Sequence, residues 1–364
     1  MSEADIELQV AAIRRGVTLS LDQPVSVVRL GGEAAYDWMD ALSPRDLFLR
    51  GGQTLHTLLL DSDGMARADL YAAYLDGAYT LFAEGVGGDV IEETIGALEL
   101  PLPAPSVEDL GASHRLVGIN GPYAWELLGE LVGQAVYGVP YLASFGWPGF
   151  EGARWYRGGK TGEFGYGLLI PRTEAEAAIA AIRDAGRAFD LTEVGSEALD
   201  RCALENGFYC PRWSDGAPSA RVDPIEMQLQ WRVTYDRDYF GSRALKARRA
   251  KGQRRRATWL LGAADDDPPP RGDALMLDDV RIGEVFYAAR SPTLGKPVAI
   301  GLLDLHWAHP GLSGIVACDE HGSPRGRPLR TVSVPLLRNR SLYIDMQRHS
   351  YAVDDEFPAL VEAS

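Results

Sequence analysis

Residues Asp61–Ser62–Asp63–Gly64–Met65–Ala66–Arg67–Ala68–Asp69–Leu70–Tyr71–Ala72–Ala73–Tyr74 decide how this chain is organised. An apolar run, Leu55, Leu58, Leu59 and Leu60, leads into them. Asp and Gly tolerate the backbone of a tight reversal, so Asp61 to Gly64 reads as the turn of a β-hairpin. The second arm then carries a single carboxylate, Asp69, among Ala, Leu and Tyr. An acid in such a strand is costly unless it has a partner or a task. Asp69 is therefore the first candidate for function.

Outward from the hairpin, Val25–Leu30 and Ala78–Ala83 read as strands, and residues 5–15, 31–42 and 87–98 have the apolar spacing of helices. Prolines between Pro101 and Pro105 mark a boundary. Beyond it, Arg115 to Leu128 repeats the strand–glycine–helix pattern of Val28 to Leu42, which predicts two related α+β halves. Further strands are expected at Arg154–Arg157 and Tyr166–Ile170, and helices at 173–187 and 195–204. After Asp265, short alternating runs separated by Gly, Pro and Asp predict a terminal barrel or sandwich.

Composition narrows the classes of function. The 364 residues, 46% of them hydrophobic, give room for two or three cores. A net charge of −15 opposes nucleic acid and anionic membrane as partners, so the basic run from Arg243 to Arg256 reads as a solvated helix and linker. Cys202, Cys210 and Cys318 are odd in number and lack metal spacing, which points to a reducing, cytoplasmic setting. Met1 to Ile6 carries no signal-peptide pattern, and no apolar run reaches spanning length. His306 and His309 are neighbours without a third ligand at matching spacing, and read as loop histidines. No nucleophile elbow, phosphate loop, zinc helix or dinucleotide fingerprint occurs.

Seven segments carry a family pattern: Gly52–Gly64 with Asp69–Leu70, Val117–Trp125, Gly159–Tyr166, Gly195–Asp200 with Leu204–Gly207, Asp223–Glu226, Tyr239–Leu245, and Ser291–Lys296. In this order and at these separations they resemble the glycine-cleavage T-protein (aminomethyltransferase) superfamily, which includes folate-dependent demethylases. The stretch from Val194 to Gly207 most resembles the aromatic O-demethylases.

The resemblance implies an α+β chain folded as a three-domain ring, with two related α+β domains and a C-terminal β-barrel-like domain. Its boundaries are expected at 1–50 with 140–255, at 51–139 for an inserted domain carrying Asp69, and at 256–364. It implies tetrahydrofolate as cofactor and a one-carbon transferase or demethylase acting on a small, possibly aromatic substrate. Asp69 is the catalytic residue it assigns, with Tyr71, Glu84, Glu163, Tyr166, Glu205 and Trp231 as cofactor contacts. The aromatic residues Trp155, Tyr156, Phe164, Phe208, Tyr209 and Trp213 suit a planar substrate and equally suit ordinary packing.

Three positions depart from the pattern. Gly167 stands where the family carries its pterin-anchoring Glu, Leu199 where it carries Arg, and Glu84 where many members have Asn. A carboxylate accepts paired hydrogen bonds from a pterin, and glycine cannot. Either another acid, Glu163 or Glu84, anchors the pterin, or the scaffold runs a folate-independent reaction with Asp69 as acid or base. A third reading is a non-catalytic folate-binding accessory protein, although Asn206–Trp213 displaces the cysteine such relatives carry. The lost positions also argue against a lipoylated carrier as partner.

Overall fold

The computed structural model describes residues 2–214, 221–353 and 357–361. It opens with α1 (Glu3–Arg15), whose start is fixed by a reciprocal cap between Ser2 and Asp5 and whose Ile6, Val10 and Ile13 face inward one turn apart. Then come β1 (Thr18–Ser20), β2 (Val25–Gly31), α2 (Ala35–Leu42), β3 (Thr54–Leu60), β4 (Ala66–Leu75), β5 (Ala78–Glu84), α3 (Gly88–Gly96) and β6 (Ser106–Asp109). A second run holds β7 (His114–Asn120), α4 (Ala124–Val132), β8 (Ser144–Gly146), β9 (Arg154–Arg157), β10 (Gly165–Pro171), α5 (Arg172–Gly186), β11 (Thr192–Glu193) and α6 (Ser196–Asn206). After α7 (Ser242–Lys251) the chain is β-rich: β12 (Arg255–Leu261), β13 (Ala274–Leu277), β14 (Val280–Ser291), β15 (Lys296–Asp304), β16 (Ser313–Cys318) and β17 (Pro324–Val332).

These strands make a five-stranded sheet, β3-β4-β5-β2-β6, a six-stranded sheet, β11-β1-β7-β10-β9-β8, and a closed barrel, β12-β15-β14-β13-β16-β17. The predicted terminal barrel is present. The two strand–helix halves, β2–α2 and β7–α4, lie in different sheets.

The sheets divide the chain differently from the expected boundaries. β2 and α2 belong with Asp69's sheet, whose strands run from Val25 to Asp109, because β2 pairs β5 along six residues. β7 belongs with the other sheet, pairing β10 from Asn120 to His114. The tail beyond the barrel also leaves its own domain: Ile344, Met346 and Tyr351 pack on the core beneath the six-stranded sheet.

The Asp61–Gly64 hairpin forms as expected. The Asp61 carboxylate accepts from the backbone of Asp63 and Met65, and Gly64 takes φ +70°. A side chain at Gly64 would strike Gly241 O at 2.8 Å, so the turn tip can sit against α7 only as glycine. No helix among the described residues is long and apolar enough to cross a membrane.

Candidate functional site

β4 places Asp69 opposite Leu58 on β3 and Glu84 on β5, facing the gap between the two sheets. Its side chain is fully buried and ringed by bases. The Arg232 guanidinium and the His56 imidazole meet Oδ1, the latter at 2.7 Å, and Lys160 Nζ lies 2.5 Å from Oδ2. Burial alone would raise the Asp69 carboxyl, but Arg232, His56 and Lys160 overcome it and hold the group well below the usual carboxylate range.

Lys160 extends the chain of charges. It donates to Tyr209 O at 2.9 Å and pairs with Glu84, which in turn accepts from Arg212 at 2.7 Å. Arg212 Nε also donates to Asp200 at 2.8 Å. Burial opposes the Lys160 charge, yet Asp69 and Glu84 hold its pKa above the ordinary value, so it is a permanent ammonium. Burial lowers the His56 pKa more than Asp69 raises it, leaving a neutral ring.

Lys160, Glu84, Asp200 and Arg212 form the polar side of a cavity that is partly open to solvent. Tyr71, Phe82, Tyr156 and Tyr166 supply ring surface, and Leu199 and Ala203 of α6 add apolar contacts. Asp69 itself does not line this space; Lys160 stands on its cavity side.

Of the expected cofactor contacts, Tyr71, Glu84 and Tyr166 line the cavity. Glu163, Glu205 and Trp231 do not. Glu163 accepts hydrogen bonds from the backbone of Arg340 and Ser341 and from the Ser341 hydroxyl, so its oxygens serve the tail. Glu205 is spent on Arg14, Ser291 and Thr293, tying α1 to the barrel. Trp231 is 54% exposed, meets the edge of His56 and lies under the Arg232 guanidinium, 4.6 Å from its ring centroid. Trp155 and Phe164 pack with the six-stranded sheet's core, and Phe208, Tyr209 and Trp213 with the core against the barrel.

The residues that surround Asp69 escaped the sequence reading. Lys160 sits inside the Gly159–Tyr166 motif and Arg232 directly follows Trp231, but only the fold brings them together. Donor atoms of Glu84, Asp200 and Cys210 lie within 4.8 Å of one another, as metal ligands would. The two carboxylates are already matched by Lys160 and Arg212, and burial pushes the Cys210 thiol up, which opposes the thiolate a metal ligand needs.

Comparison with known proteins places the chain. The GCVT N-terminal domain family matches residues 2–237, and the glycine cleavage T-protein C-terminal barrel domain matches residues 254–322. The chain belongs to the glycine-cleavage T-protein family. An aminomethyltransferase of Saccharopolyspora erythraea is 28% identical over 322 residues, covering 86% of this chain and 85% of that protein. A trimethylamine-oxide aldolase of Ruegeria pomeroyi is 30% identical over 234 residues, 60% of this chain but 28% of that protein. The structure of glycine cleavage system aminomethyltransferase T from Bartonella henselae shares the fold, with TM-score 0.78 and 22% identity over 92% of this chain and 90% of that one.

Tetrahydrofolate, the cofactor implied by the T-protein resemblance, meets an altered site here. A Cβ built on Gly167 would lie 2.3 Å from the Tyr156 ring, so that ring occupies the space a side chain at the anchor position needs. Both carboxylates lining the cavity, Glu84 and Asp200, already hold Arg212, and Glu84 holds Lys160 too. Neither lining carboxylate is free of a cation, so a pterin's paired N–H groups would have to compete with Lys160 and Arg212 for it. The residues present do not fit a pterin held in that way.

Proposed function

We propose that this T-protein family member is an enzyme of the one-carbon transferase kind, taking a one-carbon group from a small planar molecule held between its two sheets and passing it to a nucleophilic co-substrate other than a carboxylate-anchored pterin. The observation that carries this reading is the convergence of aromatic walls on one fixed ammonium, Lys160. Tyr71, Phe82, Tyr156 and Tyr166 offer ring surface to a flat, apolar body. Lys160 and Arg212 meet its polar edge. The three N–H groups of Lys160 already go to Asp69, Glu84 and Tyr209 O, so it acts as a fixed positive charge, while Arg212, held by Glu84 and Asp200, keeps N–H groups free to donate to a ligand oxygen. Asp69 keeps Lys160 charged and in place, which makes it a positioning residue. Lys160, always protonated, is a fixed charge and not a nucleophile.

The relatives named aminomethyltransferase support the kind of chemistry, and the cavity supports the substrate class. The proposed partner is a small aromatic metabolite, with no nucleic acid, membrane or lipoylated carrier involved. Calorimetric titration with vanillate tests this, run beside tetrahydrofolate. Vanillate is expected to bind in the micromolar range and to weaken more than tenfold in Lys160→Met and Arg212→Gln. Tetrahydrofolate is expected to show no binding near millimolar concentration. Micromolar folate binding overturns this reading of the cavity and restores the folate-dependent route.

A further inference from the structure

The wall that closes the cavity behind Tyr71 is two rings thick. Tyr71 stacks on His56 with centroids 4.1 Å apart and planes 9° from parallel. Tyr71 lines the cavity, while His56 lines a separate groove built from residues within 45–56 and 140–145. Main-chain hydrogen bonds from Thr54 to Leu142 and from Ser144 to Gly52 hold the two sides of that groove together. Its rim carries large rings in water: Phe48 is 86% exposed, Tyr141 52% and Phe145 41%. At its floor His56 is only 4% exposed. Nε2 of that ring is spent on Asp69, and Nδ1 has no hydrogen-bond partner among the described residues.

These contacts fix the tautomer. Asp69 is an anion and can only accept, so the proton of the neutral ring sits on Nε2 and Nδ1 presents a lone pair. Asp69 is already matched by Arg232 and Lys160, which removes the incentive for His56 to take a second proton. The groove floor is therefore a neutral acceptor. Arg45, which lines the groove and donates to His56 O at 3.2 Å, puts positive charge on this side, which disfavours a cationic guest.

We propose that this groove is a second small-molecule site, distinct from the cavity, taking a neutral or anionic aromatic ligand whose hydroxyl donates to His56 Nδ1. It stands independently of what fills the cavity beyond Tyr71. Calorimetry with 4-hydroxybenzoate and 4-methoxybenzoate tests it, because the methyl ether sets one lone pair against another. The hydroxyl compound is expected to bind about tenfold more tightly, the worth of one hydrogen bond made in a desolvated site. His56→Gln keeps an amide donor for Asp69 and puts no acceptor at the Nδ1 position, so the preference should fall to about one. Phe48→Ala, far from any buried contact, should weaken both compounds, and a melting curve for each variant separates lost folding from lost recognition. Arg212→Gln reports on the cavity alone. Binding lost in Arg212→Gln but untouched by Phe48→Ala sinks the groove proposal while supporting the cavity reading. Binding of neither compound, or a preference that survives His56→Gln, also overturns it.

Discussion

At the scale of single residues, the molecule turns on an acid cut off from water. Asp69 was legible in the sequence as a carboxylate out of place among Ala, Leu and Tyr, but its partners were not. Arg232 lies 163 positions away, and nothing local in a sequence pairs two charges at that distance. Removing one member of a buried pair strands the other, at a cost of about 3–5 kcal/mol. Arg232→Met is expected to lower the unfolding free energy by about that much, measured by urea titration. The pH dependence follows from the same contacts. The Asp69 carboxyl is held well below its ordinary value, so the unfolded chain takes up that proton first. The stability it contributes is present above about pH 4 and is lost as the pH falls further. His56 acts in a higher window: its folded pKa is lowered by burial, so the unfolded ring protonates first, from about pH 6.5 downward. Each such proton tilts stability by at most about 1.4 kcal/mol per pH unit. Equilibrium unfolding across pH should show His56→Gln flattening the upper segment and Asp69→Asn the lower. A wild-type profile that is level from pH 7 to 5 contradicts this assignment of His56.

At the scale of elements, β10 shows how an altered ligand site is built into a retained strand. Gly167 pairs Tyr156 of β9 on one side and Gly118 of β7 on the other, and the Tyr156 ring lies over it. The sequence showed the glycine and the loss of an acid. It did not show that a tyrosine ring takes up the vacated space, because cross-strand neighbours are set by register and not by proximity in the chain. Gly167→Ala forces a methyl into that ring, and overpacking of this kind costs about 1–3 kcal/mol. The Tyr156→Ala background should recover most of that loss, a coupling read from a double-mutant cycle of unfolding free energies. Additive losses mean the ring moves aside at no cost. The strands and helices themselves were legible because their periodicity is local: the hairpin, β10, α5 and α6 all formed near their expected residues. The domain boundaries were not, since β2 and β7 join sheets according to hydrogen-bond partners that sequence spacing does not reveal.

At the scale of the whole molecule, buried carboxylates rivet the parts together. Asp69 joins the five-stranded sheet to the Lys160 loop and to the Arg232 segment, while Glu205 joins α6 to Arg14 of α1 and to Ser291 and Thr293 at the barrel. Glu163 was expected at a cofactor and proves to be the third such rivet. It lies three residues beyond Lys160 on the same loop, and its carboxylate receives the tail: Arg340 N at 3.1 Å, Ser341 N at 2.8 Å and the Ser341 hydroxyl at 2.6 Å. The Ser341 hydroxyl also accepts from Phe164 N at 2.9 Å. Further on, Tyr351 N donates to Glu126 at 2.7 Å and its ring packs on Tyr123 and Phe189. The tail thus bears on the loop that presents Lys160 to the cavity. Removing residues 338–364 strips Glu163 of these donors and leaves a buried carboxylate facing Arg14 at 3.9 Å. The barrel keeps all six strands in such a variant, since β17 ends at Val332. Hydrogen exchange should then rise at residues 158–164 and in α4, with the barrel amides unchanged, and vanillate affinity should fall with them. A truncated protein whose 158–164 amides stay protected while the barrel loosens would mean that the tail supports the barrel, and that the loop carrying Lys160 holds its position through Asp69 and Glu84 alone.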